Sequence, residues 1–336
     1  MRIWASTVIR HVSADERSGR LLLIDLDDDA RVIREIAIPE SRWRFRDPNP
    51  RGGTRGVRWV DTLGDHIVVA TYAAVHILGS DGVLQEVIQH PILSYLHCVV
   101  PDERGFWATA TAADRIARLD WSGNLNSQWS IADSPTLNEA VTVLKPDALE
   151  DYRDPRILAA HVHGVTHLNC LTIRGQTLWA NLGMVLTHNA EGKARDFSGV
   201  RPPGWLPSAP VTTSHMVMSF DVSPDYELSE AAVCWQQPTS NWPNHDVLPS
   251  GEQIWFADTD SGCVTAIADG RVSSRIRIDG EFPRALVLCG NDRALVCTQN
   301  PLRIHEMDLR SARSNRSWDL AGLPHESVTC LSAVAA

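Results

Sequence analysis

The feature that most constrains the fold is a unit of short strands that recurs along the chain. Its clearest copy is Tyr95–Gly123, where Leu96–Val100, Phe106–Thr111 and Arg115–Trp121 are separated by tight polar turns. Runs rich in Val, Ile, Trp and Thr with such turns between them predict antiparallel strands. Because the unit repeats, it predicts a radial β array rather than a single sheet.

Segments that match the strands of this unit occur throughout the chain. The second strand has counterparts at Val68–Thr71, Leu178–Asn181, Ile254–Ala257 and Ala294–Cys297. Fourth strands are predicted at Val32–Ile38, Val83–Ile88, Leu125–Ile131, Glu227–Trp235, Val272–Ile278 and Ser314–Leu320. Four strands per unit is the size of one blade of a β-propeller.

The repeat predicts six blades, one of them split between the two ends of the chain. Five blades begin near Val57, Tyr95, His163, Asn244 and Pro283. The sixth takes three strands from residues 2–39 and one from Glu326–Ala335, and this pairing closes the ring and removes exposed sheet edges. We therefore expect an all-β, six-bladed propeller that forms a single domain over residues 1–336. Five blades with a disordered tail are the alternative.

Three insertions interrupt the repeat, at residues 41–55, 132–160 and 182–214. The first contains five arginines, the second includes an acidic stretch and is predicted to hold a short helix, and the third is rich in Gly and Pro. In a four-stranded blade, the connections from strand two to strand three emerge on the same face as those that lead to the next blade. All three insertions are thus predicted to crowd one mouth of the channel, where long loops often carry function. Capping of the propeller is the alternative.

Composition excludes several classes of partner. The 31 Lys and Arg residues are outnumbered by 41 Asp and Glu, for a net charge of −10, which argues against nucleic acid or an anionic membrane as the main partner. No run of eighteen apolar residues is present, and the chain enters its first strand without a signal-peptide core. With seven cysteines and no CxxC pair, buried reduced thiols in a cytoplasmic protein are expected.

Histidines fall at comparable places near the starts of the first strands. Counting back ten residues from the aligned tryptophans gives His97, Asn169 and His245, and the neighbouring polar residues are His167, Asp246, and His325 on the closing strand. Imidazoles that converge on an axis suit a divalent metal such as Fe, Zn, Cu or Mn, and Ca is a further candidate ion. The candidate ligands are His97, His167, Asn169, His245, Asp246 and His325. The same pattern equally suits a metal-free site in which His97, His167 and His245 transfer protons, or a hydrogen-bonded plug.

Arginine and tryptophan side chains near the mouth are candidates for substrate binding. Arg55, Arg58 and Arg284 are suited to holding a carboxylate or phosphate, and Trp59 and Trp205 to stacking on an aromatic substrate. We expect Asn169 and Asp246 to orient the histidines. No Walker loop, GxSxG elbow, HExxH or GxGxxG in a βαβ context occurs, so no nucleotide cofactor is expected.

The segments GFWATATAADRIARLDWSG (105–123) and QIWFADTDSGCVTAI (253–267) repeat a strand pair of the form xxWxADxxxGxVxxI. In this respect the chain resembles the six-bladed propellers of the strictosidine-synthase, gluconolactonase/SMP-30 and NHL group. In gluconolactonase-like members, Glu, Asn and Asp hold a calcium or similar ion in the channel, whereas the comparable ring here has His97, Asn169 and His245 and lacks the Glu. A ring of one His per blade is also similar to carotenoid-cleaving oxygenases, which have seven blades.

The leading hypothesis is an enzyme that acts on a small anionic or aromatic metabolite at the channel mouth, as a metal-dependent lyase, hydrolase, isomerase or oxygenase. The resemblance implies a role in specialised metabolism. The alternative is a non-catalytic propeller scaffold that binds a ligand or a protein. A scaffold would tolerate loss of the channel histidines but not of the loop residues.

Overall fold

The structure is a computed structural model that describes residues 1–47, 52–130, 151–155, 166–188, 211–238, 243–278, 282–290, 292–299 and 301–334. Over these ranges, 24 strands form six four-stranded antiparallel sheets. Two short 3-10 helices, Arg42–Arg46 and Thr111–Ala113, are also present in these ranges. The prediction of an all-β, six-bladed propeller is confirmed. In the same ranges, no helix has the length and apolar character that a membrane crossing requires.

The strands follow one another blade by blade. The chain opens with β1 (Arg2–Ile9), β2 (Leu21–Asp25) and β3 (Arg31–Ile36). Blade 1 contains β4 (Trp59–Leu63), β5 (His66–Ala70), β6 (Val75–Gly79) and β7 (Leu84–Ile88). Blade 2 contains β8 (Leu96–Asp102), β9 (Gly105–Ala110), β10 (Arg115–Asp120) and β11 (Leu125–Ser130).

The second half of the ring has the same order. Blade 3 contains β12 (Leu168–Arg174), β13 (Thr177–His188), β14 (Val211–Asp221) and β15 (Ala232–Pro238). Blade 4 contains β16 (His245–Ser250), β17 (Gln253–Asp258), β18 (Cys263–Ala268) and β19 (Arg271–Arg277). Blade 5 contains β20 (Arg284–Leu288), β21 (Arg293–Thr298), β22 (Arg303–Asp308) and β23 (Arg313–Asp319), and the last strand is β24 (Glu326–Ala333).

The C-terminal strand closes the ring as predicted. β24 pairs antiparallel with β1, from Ile3 opposite Ala333 to Ile9 opposite Glu326, and forms the closing blade in the order β24-β1-β2-β3. As the innermost strand of this blade, β24 contacts both β20 and β4. The six inner strands therefore form a continuous ring.

Burial follows the position of a strand within its blade. The second strands are packed on both faces and are buried over most of their length, as in β5 and β9. The outer strands β7 and β23 show little alternation between buried and exposed residues, and most of their residues are exposed. Trp107 and Trp255, on the second strands of blades 2 and 4, are 1% exposed and fill the space between neighbouring blades. The core is thus divided among the interfaces between blades.

Blade 3 differs from its prediction at two places. Its fourth strand is β15, whereas the sequence pattern placed it at Glu227–Trp235. Residues before β15 form a turn in which Ser229 Oγ accepts from the Asp221 backbone N–H at 2.8 Å and Tyr226 has a left-handed φ of 64°. The predicted insertion 182–214 also begins and ends as strand, because β13 and β14 pair as far as His188 opposite Val211; Trp205 lies outside the described residues.

The described parts of the first two insertions meet on one face. Arg46 Nη1 lies 3.5 Å from Asp154 Oδ2, and the Arg153 guanidinium carbon lies 5.9 Å from the Trp43 ring centre. The Gly53 carbonyl of the first insertion also accepts from Arg58, at the entry to β4. This contact places the insertion beside the start of an inner strand, β4. The short helix predicted within residues 132–160 falls mostly outside the described residues.

Candidate functional site

Local irregularities turn the chain at the start of the inner strands. The pairing of the first two strands shifts register in blades 2 to 5, between Leu96 and Val99, Leu168 and Cys170, His245 and Leu248, and Arg284 and Leu286. At or just before these points Tyr95, His167, Asp246 and Ala285 have left-handed φ angles of 52°, 43°, 55° and 60°. Bulges of this kind re-aim side chains and often lie beside functional sites.

His97 and His167 come together across the interface between blades 2 and 3. Their ring centres are 5.0 Å apart, and the Tyr95 ring stands edge-on at 4.8 Å from His97 and 6.4 Å from His167. His97 is 8% exposed, and its Nε2 has no hydrogen-bond partner in the part of the chain that the structure describes. The arrangement leaves one imidazole nitrogen of His97 available to a ligand.

A threonine on the neighbouring strand fixes the backbone at His97. The bulge in β8 releases two backbone N–H groups from the strand ladder, and Thr109 Oγ1 accepts from both, at 3.1 Å from His97 N and 2.9 Å from Cys98 N. Thr109 is fully buried. Since buried N–H groups need acceptors, this hydroxyl stabilises the bulge that presents His97.

His245 lies close enough to His167 and Arg284 to interact with them electrostatically. Burial lowers the pKa of His245, and the nearby Arg284 and His167 act in the same direction. Its Nδ1 lies 2.9 Å from Thr259 Oγ1, and that hydroxyl donates to the Pro283 carbonyl at 3.2 Å. Because the Thr259 hydroxyl proton is used in the bond to Pro283, Nδ1 of His245 is the donor to Thr259 Oγ1. Nε2 of His245 is then the nitrogen that accepts a proton.

His97 and His245 are both neutral at pH 7, because burial and neighbouring positive charges lower their pKa values. Burial lowers the pKa of His97, and the charges of His167, Arg58 and Arg284 lower it further. A site rich in cations and poor in water disfavours another positive charge. His97 and His245 are therefore proton acceptors at neutral pH.

Arg58 carries a buried positive charge in the middle of this group. It is 2% exposed, its Nη2 donates to the Gly53 carbonyl, and its guanidinium carbon lies 5.5 Å from the Tyr95 ring centre. Its Nε and Nη1 have no hydrogen-bond partner among the described residues. Burial lowers the pKa of Arg58, and the charge of Arg284 does so too, although the negative charge of Asp47 lies close enough to raise it. An anion bound here would supply the missing partner.

The other predicted substrate-binding residues have different surroundings. Arg284 is 8% exposed and lies close enough to His97 and His245 to lower the pKa of both. Arg55 is also buried, with its side chain folded over Gly52. Trp59 is half-buried and packs against three separate core clusters that belong to different blade interfaces.

Asn169 and Asp246 tie blades together instead of orienting the histidines. Asn169 Nδ2 donates to the Asn244 carbonyl, and Asn181 Nδ2 donates to the Asp246 carbonyl. The Asp246 carboxylate accepts from the Leu286 backbone N–H at 2.7 Å. Burial raises the pKa of Asp246 to about 6. The polar groups of both residues are therefore used between neighbouring blades.

The predicted metal ligands do not form one set. His325 stacks edge-on against His11, with ring centres 5.5 Å apart, beside a different cavity. Over the described ranges, no group of three or more His, Cys, Asp and Glu side chains could hold a metal ion. The donor set does not fit the divalent metal that the sequence pattern favoured, so no chemical step is assigned to one.

Comparisons with known proteins agree on the architecture. No protein-family model and no curated protein sequence matches the chain. Its fold is similar to a protein of unknown function from Bacteroides caccae (TM-score 0.53, 8% identity, 98% of this chain and 97% of that chain). It is also similar to a chain of a nidogen/laminin complex (TM-score 0.55, 9% identity, 98% and 97%). At these identities the likeness shows the propeller fold alone.

Another structural match has a lower score. A streptogramin B lyase structure matches with a TM-score of 0.44 and 9% identity, over 80% of this chain and 84% of that chain. A score at this level carries no argument about chemistry. The function must therefore be argued from the site itself.

Several residues of the site were missed by sequence reasoning. Tyr72, which is fully buried, lies 5.9 Å from Tyr95, and Phe282 lies 6.0 Å from His245 between ring centres. His215 is also fully buried, and its positive charge would lower the pKa of His245. Tyr95 could have been found, since it stands two residues before His97. His215 could not, because it comes from the third strand of its blade and the search compared first strands.

Proposed function

We propose that the protein is an enzyme that acts on a small anionic metabolite at the channel mouth by proton transfer. The observation that carries the proposal is the buried guanidinium of Arg58, which has two nitrogens without a partner among the described residues, as has Nε2 of the nearby His97. A carboxylate or phosphate would neutralise Arg58, and bidentate contacts would fix its orientation. The rings of Tyr95 and Phe282 give apolar contacts to the rest of the molecule.

The histidines supply the chemistry in this proposal. His97 and His245 are neutral at pH 7, so each is able to take a proton from a bound substrate and return it. The positive charge of Arg58 would stabilise negative charge that develops on the substrate as the proton leaves. This favours a lyase, isomerase or hydrolase among the classes that the sequence left open. A cytoplasmic location and a role in specialised metabolism remain predictions.

Arg58→Met tests the binding part of the proposal. We expect a panel of small carboxylates and phosphates to raise the thermal unfolding temperature of the wild-type protein, and the variant to lose affinity for the hits by about ten-fold or more. The variant should be at least as stable as the wild type without ligand, because it removes a positive charge that burial desolvates. Arg104→Met, on an exposed turn, is the matched control.

Catalysis is tested on the same preparations. Each of the substitutions His97→Ala and His245→Ala should abolish turnover of the carboxylates or phosphates that bind the wild-type protein. NMR measures this turnover, and Arg58 should still bind the anion in both variants. Turnover that survives both changes would overturn the catalytic role of His97 and His245, and hits that bind without any turnover by the wild-type protein would support the scaffold alternative. Near-stoichiometric metal in untagged protein that disappears in the double variant would restore the metal hypothesis.

A further inference from the structure

A cavity of about 390 Å³ lies between blades 1 and 2, away from the histidines. The inner strand β8 carries His97 near its start and ends at Asp102, and the next residue, Glu103, lines the cavity. At about 3.3 Å per residue, the two ends of this stretch are roughly 15–20 Å apart. The volume is in the range of small-molecule sites. This blade 1–2 cavity is therefore a separate place for a ligand and does not depend on the proposed function.

The floor of the blade 1–2 cavity is apolar. Val68 and Ile77 are 1% and 9% exposed, and they pair directly across β5 and β6, so they lie on the same face of blade 1. Leu63 adds a further aliphatic side chain to the lining. Val68 and Ile77 belong to the hydrophobic cluster between blades 1 and 2, against which Trp121 also packs. The cavity thus opens onto this cluster, where the apolar part of a ligand is removed from water.

Trp121 forms one wall of the cavity and is held within blade 2. Its Nε1 donates to the Asp102 carbonyl at 3.1 Å, and its ring packs against Phe106 with ring centres 5.6 Å apart. Because the indole N–H is already used, the side chain offers a ligand its ring rather than a hydrogen-bond donor. Indole rings attract both apolar groups and organic cations.

The charged side chains at the rim of the cavity are acidic. Glu86 lies opposite Ile77 on the outer strand β7, Glu103 lies in the turn between β8 and β9, and both are exposed. Neither carboxylate forms a hydrogen bond or an ion pair with a described residue. Among the described lining residues there is no lysine or arginine, and His66 is the one side chain that could become positive. The charge at the rim therefore favours a cation.

We propose that the blade 1–2 cavity binds a small organic cation, an amine or a quaternary ammonium group on an apolar body. The apolar body lies on Val68 and Ile77, and the ammonium group lies at the rim with Glu86, Glu103 and the Trp121 ring. The two carboxylates disfavour an anion, and the apolar floor lacks the oxygen ligands that an inorganic cation needs. A recess of this volume encloses a whole small molecule, which favours such a ligand over an extended basic segment of a partner protein.

NMR of the full chain with ¹⁵N-labelled tryptophan tests the cavity, with benzylammonium as the probe. The Trp121 indole signal is identified as the one that disappears in Trp121→Phe. It should shift saturably with benzylammonium. Benzyl alcohol, which has a similar size but no charge, should bind about five-fold to ten-fold more weakly. Absence of a saturable shift of this signal, or equally tight binding of benzyl alcohol, overturns the proposal.

Substitutions of the two glutamates test the charge at the rim. Glu86→Gln and Glu103→Gln keep the shape of the side chains and should each weaken benzylammonium binding by about three-fold, and together by about ten-fold. Binding of benzyl alcohol should not change. Glu252→Gln is the matched control, because Glu252 is an exposed glutamate in the corresponding turn of blade 4, between β16 and β17.

Three results with these variants and probes overturn the proposal. The first is unchanged benzylammonium binding in the double variant, and the second is equal weakening by Glu252→Gln, which would show a general effect of surface charge. The third is a shift of the Trp121 signal by polylysine but not by benzylammonium, which would assign the cavity to a basic protein.

Discussion

At the residue scale, Asp246 shows how burial changes an ordinary side chain. Its carboxyl group is 6% exposed, and desolvation raises its pKa from 3.8 to about 6. The folded protein therefore binds more protons than the unfolded chain between about pH 4 and pH 6, and this residue's contribution to stability falls as the pH rises through that range. At pH 8 the ionised form costs about 3 kcal/mol on this basis.

Asp246→Asn should consequently stabilise the protein at pH 8 but not at pH 4. The amide oxygen is still able to accept from the Leu286 N–H, so the contact between blades 4 and 5 is kept. Urea unfolding at both pH values measures the difference, with the exposed Asp225→Asn as control. A variant that is less stable than the wild type at pH 8 would contradict the assigned cause of the pKa shift.

At the element scale, the bulge in β8 depends on one hydroxyl of β9. Thr109→Val keeps the shape of the side chain but leaves the buried N–H groups of His97 and Cys98 without their acceptor. We expect a loss of about 1–3 kcal/mol in the free energy of unfolding. Because the bulge also aims His97, turnover of any substrate found should fall as well.

Thr265→Val, on β18, provides the matched control for Thr109→Val. Thr265 is equally buried but donates to Asp258 Oδ2, at 3.3 Å, within blade 4 and away from His97. It should lose stability without a change in turnover per folded molecule. If Thr109→Val behaves in the same way, the bulge serves stability alone.

At the scale of the whole molecule, the closing blade joins the two ends of the chain. The Val334 backbone N–H donates to the Arg2 carbonyl at 3.1 Å, so the ends lie side by side. A permuted chain that begins at Leu323 and ends at Gly322, with Ala336 linked to Met1, keeps every strand and should fold cooperatively. Its new ends fall in an exposed segment, where such changes are tolerated.

Deletion of residues 326–336 should have the opposite result. It removes β24 and leaves the inner edge of β1 unpaired, which favours aggregation. Circular dichroism, urea unfolding and light scattering on both proteins measure the contrast. A deletion variant as soluble and as stable as the intact chain would show that ring closure contributes little.

The sequence by itself determined the architecture. Each strand is encoded locally, by alternating apolar and polar residues and by the turn residues beside them, and this pattern repeats six times. The sequence also placed His97, His245 and Arg58 at the starts of inner strands, since equivalent positions in a repeat occupy equivalent places in the ring. It misplaced β15, where hydrogen bonds of a turn overrode an apolar pattern. It also gave Asn169 and Asp246 a role with the histidines that their contacts do not support.

Only the tertiary structure decided which polar atoms meet. Asn169 and Asp246 bind backbone groups of neighbouring blades, His325 turns to His11, and Tyr95 joins His97 and His167. These outcomes depend on bulges and left-handed residues at the strand entries, which turn a side chain by amounts that strand periodicity does not encode. The burial that keeps His97 neutral and desolvates Arg58 likewise arises only when the blades pack into a ring.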